Sequence, residues 1–348
     1  MQHPPPMPRV LLVGFSERNK YFGTFFYATL HKLRNGFIRA GSHVVWFSDR
    51  DIADYHAPLR YRPLGARTAN AKLIQLVETV EPDVICLMHA DLITAETIDV
   101  IRRRHPRVKI ISVYLDALSG GRPSDRFRRF AATSDASFAT TAGAALSAHA
   151  TAGAVGFVPN PIDLSVERAC AYAAHDHDHD HDFFFAGKPK GRELFLQQLQ
   201  QRLPERRFGL FLQTGTAMAL GGAAYTAALG RSRIAIAAGI ASDWKWYASD
   251  RLSQYLGAGC LVAQPAVGEL ASLYGADTLL IYKDADDLAT QAEALLTSGR
   301  WRERAAAGQA QACAVSDTML VARYLLDRAA GTRTFDWPAW TNEFYPKR

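Results

Sequence analysis

No uninterrupted apolar run of about 18 residues occurs in the 348-residue chain, which excludes a helix built to span a bilayer. The opening MQHPPPMPRV lacks the basic-then-apolar layout of a secretory signal, and Pro4 to Pro8 read instead as a stiff lead-in to a first strand. Cysteine is scarce: Cys86, Cys170, Cys260 and Cys313 lie far apart and share no metal-ligand spacing. Cys86 and Cys260 fall in apolar runs, where a thiol acts as a small hydrophobe. The expectation is therefore a reduced, cytoplasmic chain without a disulfide framework. Glycine is missing where a dinucleotide would need it. The first apolar run is followed by G-F-S-E-R-N rather than G-x-G-x-x-G, so nicotinamide or flavin chemistry is disfavoured. No aromatic interleaving or reader motif accompanies the basic residues, which argues against nucleic acid. No internal repeat is visible.

What is present suits a globular protein of two domains. Hydrophobic residues make up 48% and charged residues 21%, and the length allows two separate cores. The net charge of +6 is unevenly placed: residues 1–150 hold 20 Lys+Arg against 13 Asp+Glu, and the remainder 20 against 21. RRRHPRVK (102–109) and RFRR (126–129) carry much of the excess. Solvated helix faces explain such runs, and contact with an anionic membrane surface is the functional alternative.

RVLLVG (9–14) reads as the first strand, followed by a polar loop with Ser16, Glu17, Asn19 and Lys20 and a helix from about Thr24 to Ala40. HVVWFSDRD is a second strand ending in Ser48 to Asp51, and residues 70 to 80 form a helix. PDVICLMHAD and VKIISVYLDAL are strands separated by TAETIDVIRRR, an amphipathic helix capped by Thr94. A βαβ series of this kind brings His89, Asp91 and Asp116 to one carboxyl edge. A carboxylate there serves as a base or merely caps a helix, and a histidine serves chemistry or is a satisfied structural group. DASFATT (135–141) and VGFVPNPID (155–163) close this half, where Pro159 and Pro161 deny helix and mark a linker. AHDHDHDHD (174–182) reads as a solvated, low-complexity linker whose alternation fits no compact tetrahedral metal site.

FFFAG (183–187) opens the second half as a strand, with Lys188, Lys190 and Arg192 in the loop before a helix from Glu193 to Leu203. Basic side chains at a helix start suit a diphosphate, although lysines are common in any loop. RFGLFLQT and RIAIAAG are further strands. Residues 246–283 then read as polar loop, short helix, buried strand, helix and strand. Ser249 or Asp250 caps the first of these helices, Gly257-Ala-Gly259 ends it, and Glu269 to Tyr274 form the second. Asp284 caps a following helix, Asp317 starts the last long one, and FDWPAWTNEFY (335–345) is an aromatic tail.

The run S-D-R-L-x-x-Y-L-G-x-G-x-L-V from Ser249 to Val262 resembles the donor-binding part of GT-B glycosyltransferases, in the group-1 and spore-maturation-protein-like branch. Gly268-Glu269-Leu270, the Tyr282-Lys-Asp284 strand end and the P-N-P-I-D linker add to the likeness, which spans most of the chain and is densest over 182–330. It implies an α/β fold of two Rossmann-like domains facing across a cleft, with a C-terminal helix crossing back. Residues 1–165 would form the acceptor side, 166–182 a linker and 183–325 the nucleotide-sugar domain. Residues 326–348 would be the crossing helix and aromatic tail, anchored by Trp337 and Trp340. The resemblance implies donor contacts from Gly187, Lys188, Lys190, Arg192, Tyr247, Ser249, Asp250, Arg251, Gln254 and Glu269. It implies no metal, and no cofactor beyond the nucleotide-diphosphate sugar itself.

Arg251 is the strongest diphosphate ligand by chemistry, its planar fork matching two phosphate oxygens, unless Asp250 or Asp243 pairs with it. His89 resembles the family's first-domain histidine at the donor sugar, and Asp116 is the candidate base, with Asp91 its competitor. One feature departs from the family. Retaining members carry two glutamates separated by seven residues, where this chain has Trp246 and Gln254, so the anomeric outcome is not legible. The implied activity is sugar transfer to a cell-surface glycan or glycolipid by a cytoplasmic, membrane-peripheral protein. An epimerase or hydrolase of the same fold and a non-catalytic sugar-binding subunit are the alternatives.

Overall fold

The computed structural model describes residues 7–15, 23–58, 61–118, 121–213, 220–238 and 244–348; the expected polar loop at Ser16 to Lys20 lies outside them. The chain divides into two compact units, Met1–Gly23 with Ala28–Pro159 and Thr318–Arg348, and Thr24–Tyr27 with Asn160–Asp317.

In the first unit the apolar runs become β1 (Arg9–Gly14), β2 (His43–Phe47), β3 (Val84–Met88), β4 (Lys109–Tyr114), β5 (Ala136–Ala139) and β6 (Val155–Phe157). They pair in parallel in the order β6-β5-β4-β3-β1-β2. Every residue of β3 is buried, as in a strand covered on both faces. The intervening helices are α1 (Thr29–Arg39), α2 (Asp49–His56), α3 (Arg62–Val80), α4 (Ala95–Arg104), α5 (Gly121–Thr133) and α6 (Gly143–Ser147). Thr94 caps α4 as expected, its hydroxyl accepting the Thr97 N–H at 3.3 Å.

One of these helices departs from expectation. The polar stretch read as a strand end becomes α2, because the Ser48 hydroxyl accepts the Asp51 N–H and starts a helix there. The basic run near residue 126 lies on α5 as a solvated helix face, in line with expectation, with Phe127 and Phe130 buried while Arg128 and Arg129 stay exposed. Strand order reverses between β1 and β3. The chain leaves β1 for β2 on one side and takes β3 on the other, which opens a crevice at these carboxyl ends.

The second unit repeats the plan with β7 (His181–Gly187), β8 (Phe208–Leu212), β9 (Ser232–Ile236), β10 (Leu261–Pro265) and β11 (Leu279–Tyr282). All pairs are parallel, in the order β11-β10-β9-β7-β8, so the reversal here falls between β7 and β9. Around them lie α7 (Glu193–Arg202), α8 (Gly222–Gly230), α9 (Asp250–Gly257), α10 (Leu270–Tyr274), α11 (Ala285–Ser298) and α12 (Trp301–Ser316). Phe183, Phe185, Leu199, Ile234, Leu261 and Leu280 are fully buried in its core. Each such side chain contributes about 1.5–3 kcal/mol. Asp284 caps α11 as expected, accepting the Asp287 N–H at 2.9 Å.

Residues 174–182 belong to this unit; His175 to Asp178 and Asp180 are solvent-exposed as expected, but Asp176, Asp180 and Asp182 are also paired, and His179 and Asp182 are buried. Asp176 meets Arg233 at 3.1 Å and Arg302 at 2.7 Å, Asp180 meets Arg231 at 2.8 Å, and Asp182 meets Arg233 at 2.9 Å. His179 is buried against the Ala171 carbonyl, 3.0 Å away, and His181 opens β7. The local alternation of His and Asp could not show this, since one partner, Arg302, lies 126 residues along the chain.

The chain returns to the first unit with α13 (Thr318–Ala330) and β12 (Phe344–Tyr345), which pairs antiparallel with β6. Gly36 in α1 permits the close packing of α13: a Cβ there would lie 2.2 Å from the Thr318 carbonyl oxygen. Buried Asp327 accepts bonds from the Thr334 N–H (2.8 Å), the Thr332 hydroxyl (3.0 Å) and the Trp337 indole (3.0 Å). Burial alone would raise its carboxyl; these donors outweigh it and hold the group below the usual range. Trp337 and Trp340 both pack edge-on against Tyr324, which fixes the aromatic tail on α13.

The paired run makes a contrast that denaturation can read. Asp182→Ala leaves the Arg233 side chain, 14% exposed, short of its buried partner. We expect it to lower the unfolding free energy by about 3 kcal/mol in urea titration. Asp178→Ala, at an exposed carboxylate of the same run, should change nothing measurable. Equal effects of the two would contradict the pairing.

Candidate functional site

At the β7–β9 reversal an arginine lies over the strand ends. Arg251, the second residue of α9, reaches back so that Nη1 donates to the Ala186 carbonyl at 3.3 Å and Nη2 to the Ala238 carbonyl at 3.2 Å. Its Nε donates to the Ser249 hydroxyl at 3.3 Å, and the guanidinium carbon sits 5.1 Å from the centre of the Phe185 ring. Ser249 occupies the N-cap position of α9, yet its side chain takes this arginine bond and caps no helix N–H, contrary to expectation. Gly187 makes the approach possible, since a Cβ there would lie 2.9 Å from Nη1.

The loop after β7 turns tightly through Lys190 (φ 48°) and Gly191 (φ 82°), both left-handed. It folds Arg192 inward, 8% exposed, to donate to the carbonyls of Lys188 (3.1 Å) and Pro189 (3.2 Å). Burial, and then the neighbouring charge of Arg251, pull the Arg192 pKa down. Lys188 and Lys190 are exposed on the same loop. Among the described residues no carboxylate pairs with Arg251. Asp250 accepts instead from Gln254, Nε2 to Oδ2 at 3.2 Å, and Asp243 lies outside the described residues. Three of the five guanidinium N–H groups are used on neutral oxygens, and two have no partner among the described residues.

A second loop flanks the first. The Trp246 N–H donates to the Gly268 carbonyl at 2.6 Å and its indole to the Ser272 hydroxyl at 2.9 Å. Glu269, exposed, sits just before α10 at its N-cap position, and both Trp246 (φ 58°) and Glu269 (φ 56°) are left-handed. Such conformations cost about 1–3 kcal/mol each and mark a turn held by its surroundings. Tyr247, half-buried, lies edge-on to Trp244 at 5.9 Å. Buried Asn160 donates to the Ala248 carbonyl at 2.9 Å and steadies the same loop, a role the prolines around it did not signal. Gln254 is 4% exposed and both ends of its amide are engaged, Oε1 accepting the Tyr225 hydroxyl at 2.6 Å. The structure thus gathers Gly187, Arg192, Ser249 and Arg251 about Phe185, sets Lys188, Lys190, Tyr247 and Glu269 on the adjoining loops, and turns Gln254 toward Tyr225.

In the first unit His89 follows β3 with φ 46°, and its Nε2 accepts the Leu115 N–H at 2.9 Å. The ring lies against Tyr114, 4.7 Å between centres. Burial lowers its pKa, against the opposing pull of Asp116 and Asp91, so the ring is neutral with its proton on Nδ1. Asp91 is drawn into ion pairs with Arg50 (2.8 Å) and Arg126 (3.3 Å). Asp116 is exposed beside the Tyr114 hydroxyl, whose pKa is driven up by burial and then by that carboxylate. Fully buried Asp49 accepts the Leu92 N–H at 3.2 Å, and burial pushes its carboxyl up to about 6. Arg50, Arg126 and Asp49 carry no motif, and only the strand order brings them to this edge.

Comparison with known proteins bears on both units. Residues 192–327 match the family described as Glycosyl transferase-like. No curated protein matches the chain in sequence. Several solved structures share its fold. HepE of Anabaena, in complex with UDP and glucose, superposes with a TM-score of 0.58 over 93% of this chain and 100% of its own, at 13% identity. Sucrose-phosphate synthase from Thermosynechococcus elongatus gives 0.59 over 92% and 98%, also at 13% identity. A UDP-N-acetylglucosamine 2-epimerase gives 0.54 over 96% and 99%, at 12% identity. At such identities the likeness is one of fold, and the fold is that of GT-B proteins, two Rossmann-like units each built on a parallel sheet. The family match and the fold together support a glycosyltransferase.

Proposed function

We propose that this chain transfers a sugar from a UDP-type nucleotide donor to a hydroxyl of a cell-surface glycan or glycolipid, within the spore-maturation-protein-like branch of the group-1 enzymes. The observation that carries the reading is Arg251, anchored by neutral oxygens at the β7–β9 reversal with two N–H groups unengaged among the described residues. Ligands of open α/β sheets bind at such reversals, outside the carboxyl ends of the strands.

Departure of a nucleoside diphosphate builds negative charge on its oxygens. Arg251 meets two of them with its fork, and Lys188, Lys190 and Arg192 add positive charge beside the apolar Phe185 ring, where each interaction counts for more than in water. Asp116 takes the proton of the acceptor hydroxyl as it attacks. His89, neutral and held through Nε2, offers its Nδ1–H to the sugar or the leaving oxygen. Asp91, tied to Arg50 and Arg126, acts as a fixed charge rather than a base. Protein cations supply the neutralising charge in this reading, and it needs no cofactor beyond the donor.

A cytoplasmic site at an anionic membrane, touched by the basic first unit, fits a glycolipid acceptor. Among the described residues no helix is long and apolar enough to cross a membrane. Epimerisation is the competing reading, favoured by the fold shared with the epimerase. It requires donor turnover with no acceptor present.

Thermal denaturation with a series of nucleoside diphosphates tests the donor site. A true ligand at 100 times its Kd stabilises by about 2.7 kcal/mol. Arg251→Ala should abolish the shift, and normal binding by that variant overturns the placement. Asp116→Asn should slow turnover by about 10²–10⁴-fold at an unchanged donor KM. A wild-type rate would remove Asp116 from the chemistry. His89→Ala should spare nucleotide binding and slow transfer. Its pKa lies below the ordinary value of about 6.5, so above about pH 7 the variant should shift the level of the pH–rate profile and not its shape.

A further inference from the structure

We infer that Gln254 is a positioning residue for Arg251, acting through Asp250 and braced by Tyr225 and Tyr27, so that the donor grip depends on side chains that never touch the donor. The inference rests on the donor reading above and adds to it a relay of largely buried side chains within the second unit.

Four side chains form one series. Tyr27 stacks on Tyr225 with ring centres 4.7 Å apart, and both are buried. The Tyr225 hydroxyl donates to Gln254 Oε1 at 2.6 Å, and Gln254 Nε2 donates to Asp250 Oδ2 at 3.2 Å. Asp250 is the first residue of α9 and Arg251 the second. The Gly222 N–H donates to the Thr24 carbonyl at 3.1 Å, which ties the start of α8 to the segment that carries Tyr27.

Polarity dictates the residue at 254. The Tyr225 hydroxyl needs an acceptor and the Asp250 carboxylate needs a donor, in a setting where an unmet polar group is costly. An uncharged amide supplies both at once. An ionised glutamate would accept from Tyr225 but offer the Asp250 carboxylate nothing except repulsion. The glutamine found where retaining relatives carry a glutamate is therefore matched to this network. Its loss would loosen the first turn of α9, on which the aim of Arg251 depends.

Calorimetry with UDP on the full chain tests the relay. Tyr225→Phe and Gln254→Ala should each weaken UDP about ten-fold, and the double variant should be no weaker than the poorer single, as expected for groups acting in series. In turnover the loss should fall on the donor KM, with kcat changed less than about two-fold. Gln254→Glu supplies a readout that a merely structural role would not move. The groups around that position are Asp250 and Arg251 of α9, Tyr225 of α8, Tyr27, and Glu167 and Arg168 across a small cavity. A protonated glutamate again accepts and donates, so UDP affinity of this variant should recover between about pH 8 and about pH 5.5 relative to wild type.

A silent Tyr225→Phe beside a weakened Gln254→Ala would mean that Gln254 touches the donor itself, and would overturn the relay. Additive losses, or no recovery at low pH, would do the same. If the wild type binds no nucleotide, it is the donor reading that fails. Amide hydrogen exchange at residues 250–252 then decides the relay alone: faster exchange in both single variants supports it, and unchanged exchange refutes it.

Discussion

A guanidinium held by three neutral oxygens at a strand-order reversal is the constraint around which the second unit is arranged. Among the described residues no carboxylate holds Arg251, so its charge is not cancelled by one. Carbonyls fix the fork and leave the charge intact. Neighbouring positions defer to this arrangement. Gly187 gives up a side chain that would strike Nη1, and Ser249 gives up the helix cap, a bond commonly worth about 1 kcal/mol, to hold Nε. Around Arg251 local rules give way to tertiary contacts, and the Asp250–Gln254–Tyr225 series of hydrogen bonds joins the same helix start.

The strand ends of the first unit sort their charges by the same means. Burial keeps His89 neutral and raises Asp49, two arginines absorb the charge of Asp91, and Asp116 is left at the surface. Three carboxylates at one sheet edge thus have three different characters, although all are aspartates. The difference lies in partners and solvent access.

Much of this was legible in the sequence because it follows from short-range patterns. Apolar runs between helical spacings predicted nearly every strand, and Thr94 and Asp284 announced their caps. The presence of His89, Asp91 and Asp116 at strand ends could likewise be read from their place after apolar runs. What escaped depends on contacts between distant parts of the chain. The pairing of the exposed His/Asp run with Arg233 and Arg302 is not visible until those distant arginines are brought against it. The Ser249 hydroxyl reads as a cap because its position is local, yet it caps no N–H. Its use by Arg251 could not be foreseen, since that depends on where β7 and β9 end. Gln254 reads as a ligand group in sequence because Tyr225, its partner, sits 29 residues earlier on another helix.

The central claim is that geometry, and not net charge alone, makes Arg251 the grip on a diphosphate. Arg251→Lys keeps the charge but replaces a planar fork by a point donor that cannot reach two carbonyls and two phosphate oxygens together. Titration calorimetry of that variant with UDP is the direct measurement. The account predicts a loss of at least about ten-fold in affinity, or about 1.4 kcal/mol, with net charge unchanged. Affinity equal to that of the wild type would show that any cation suffices there, and would contradict it.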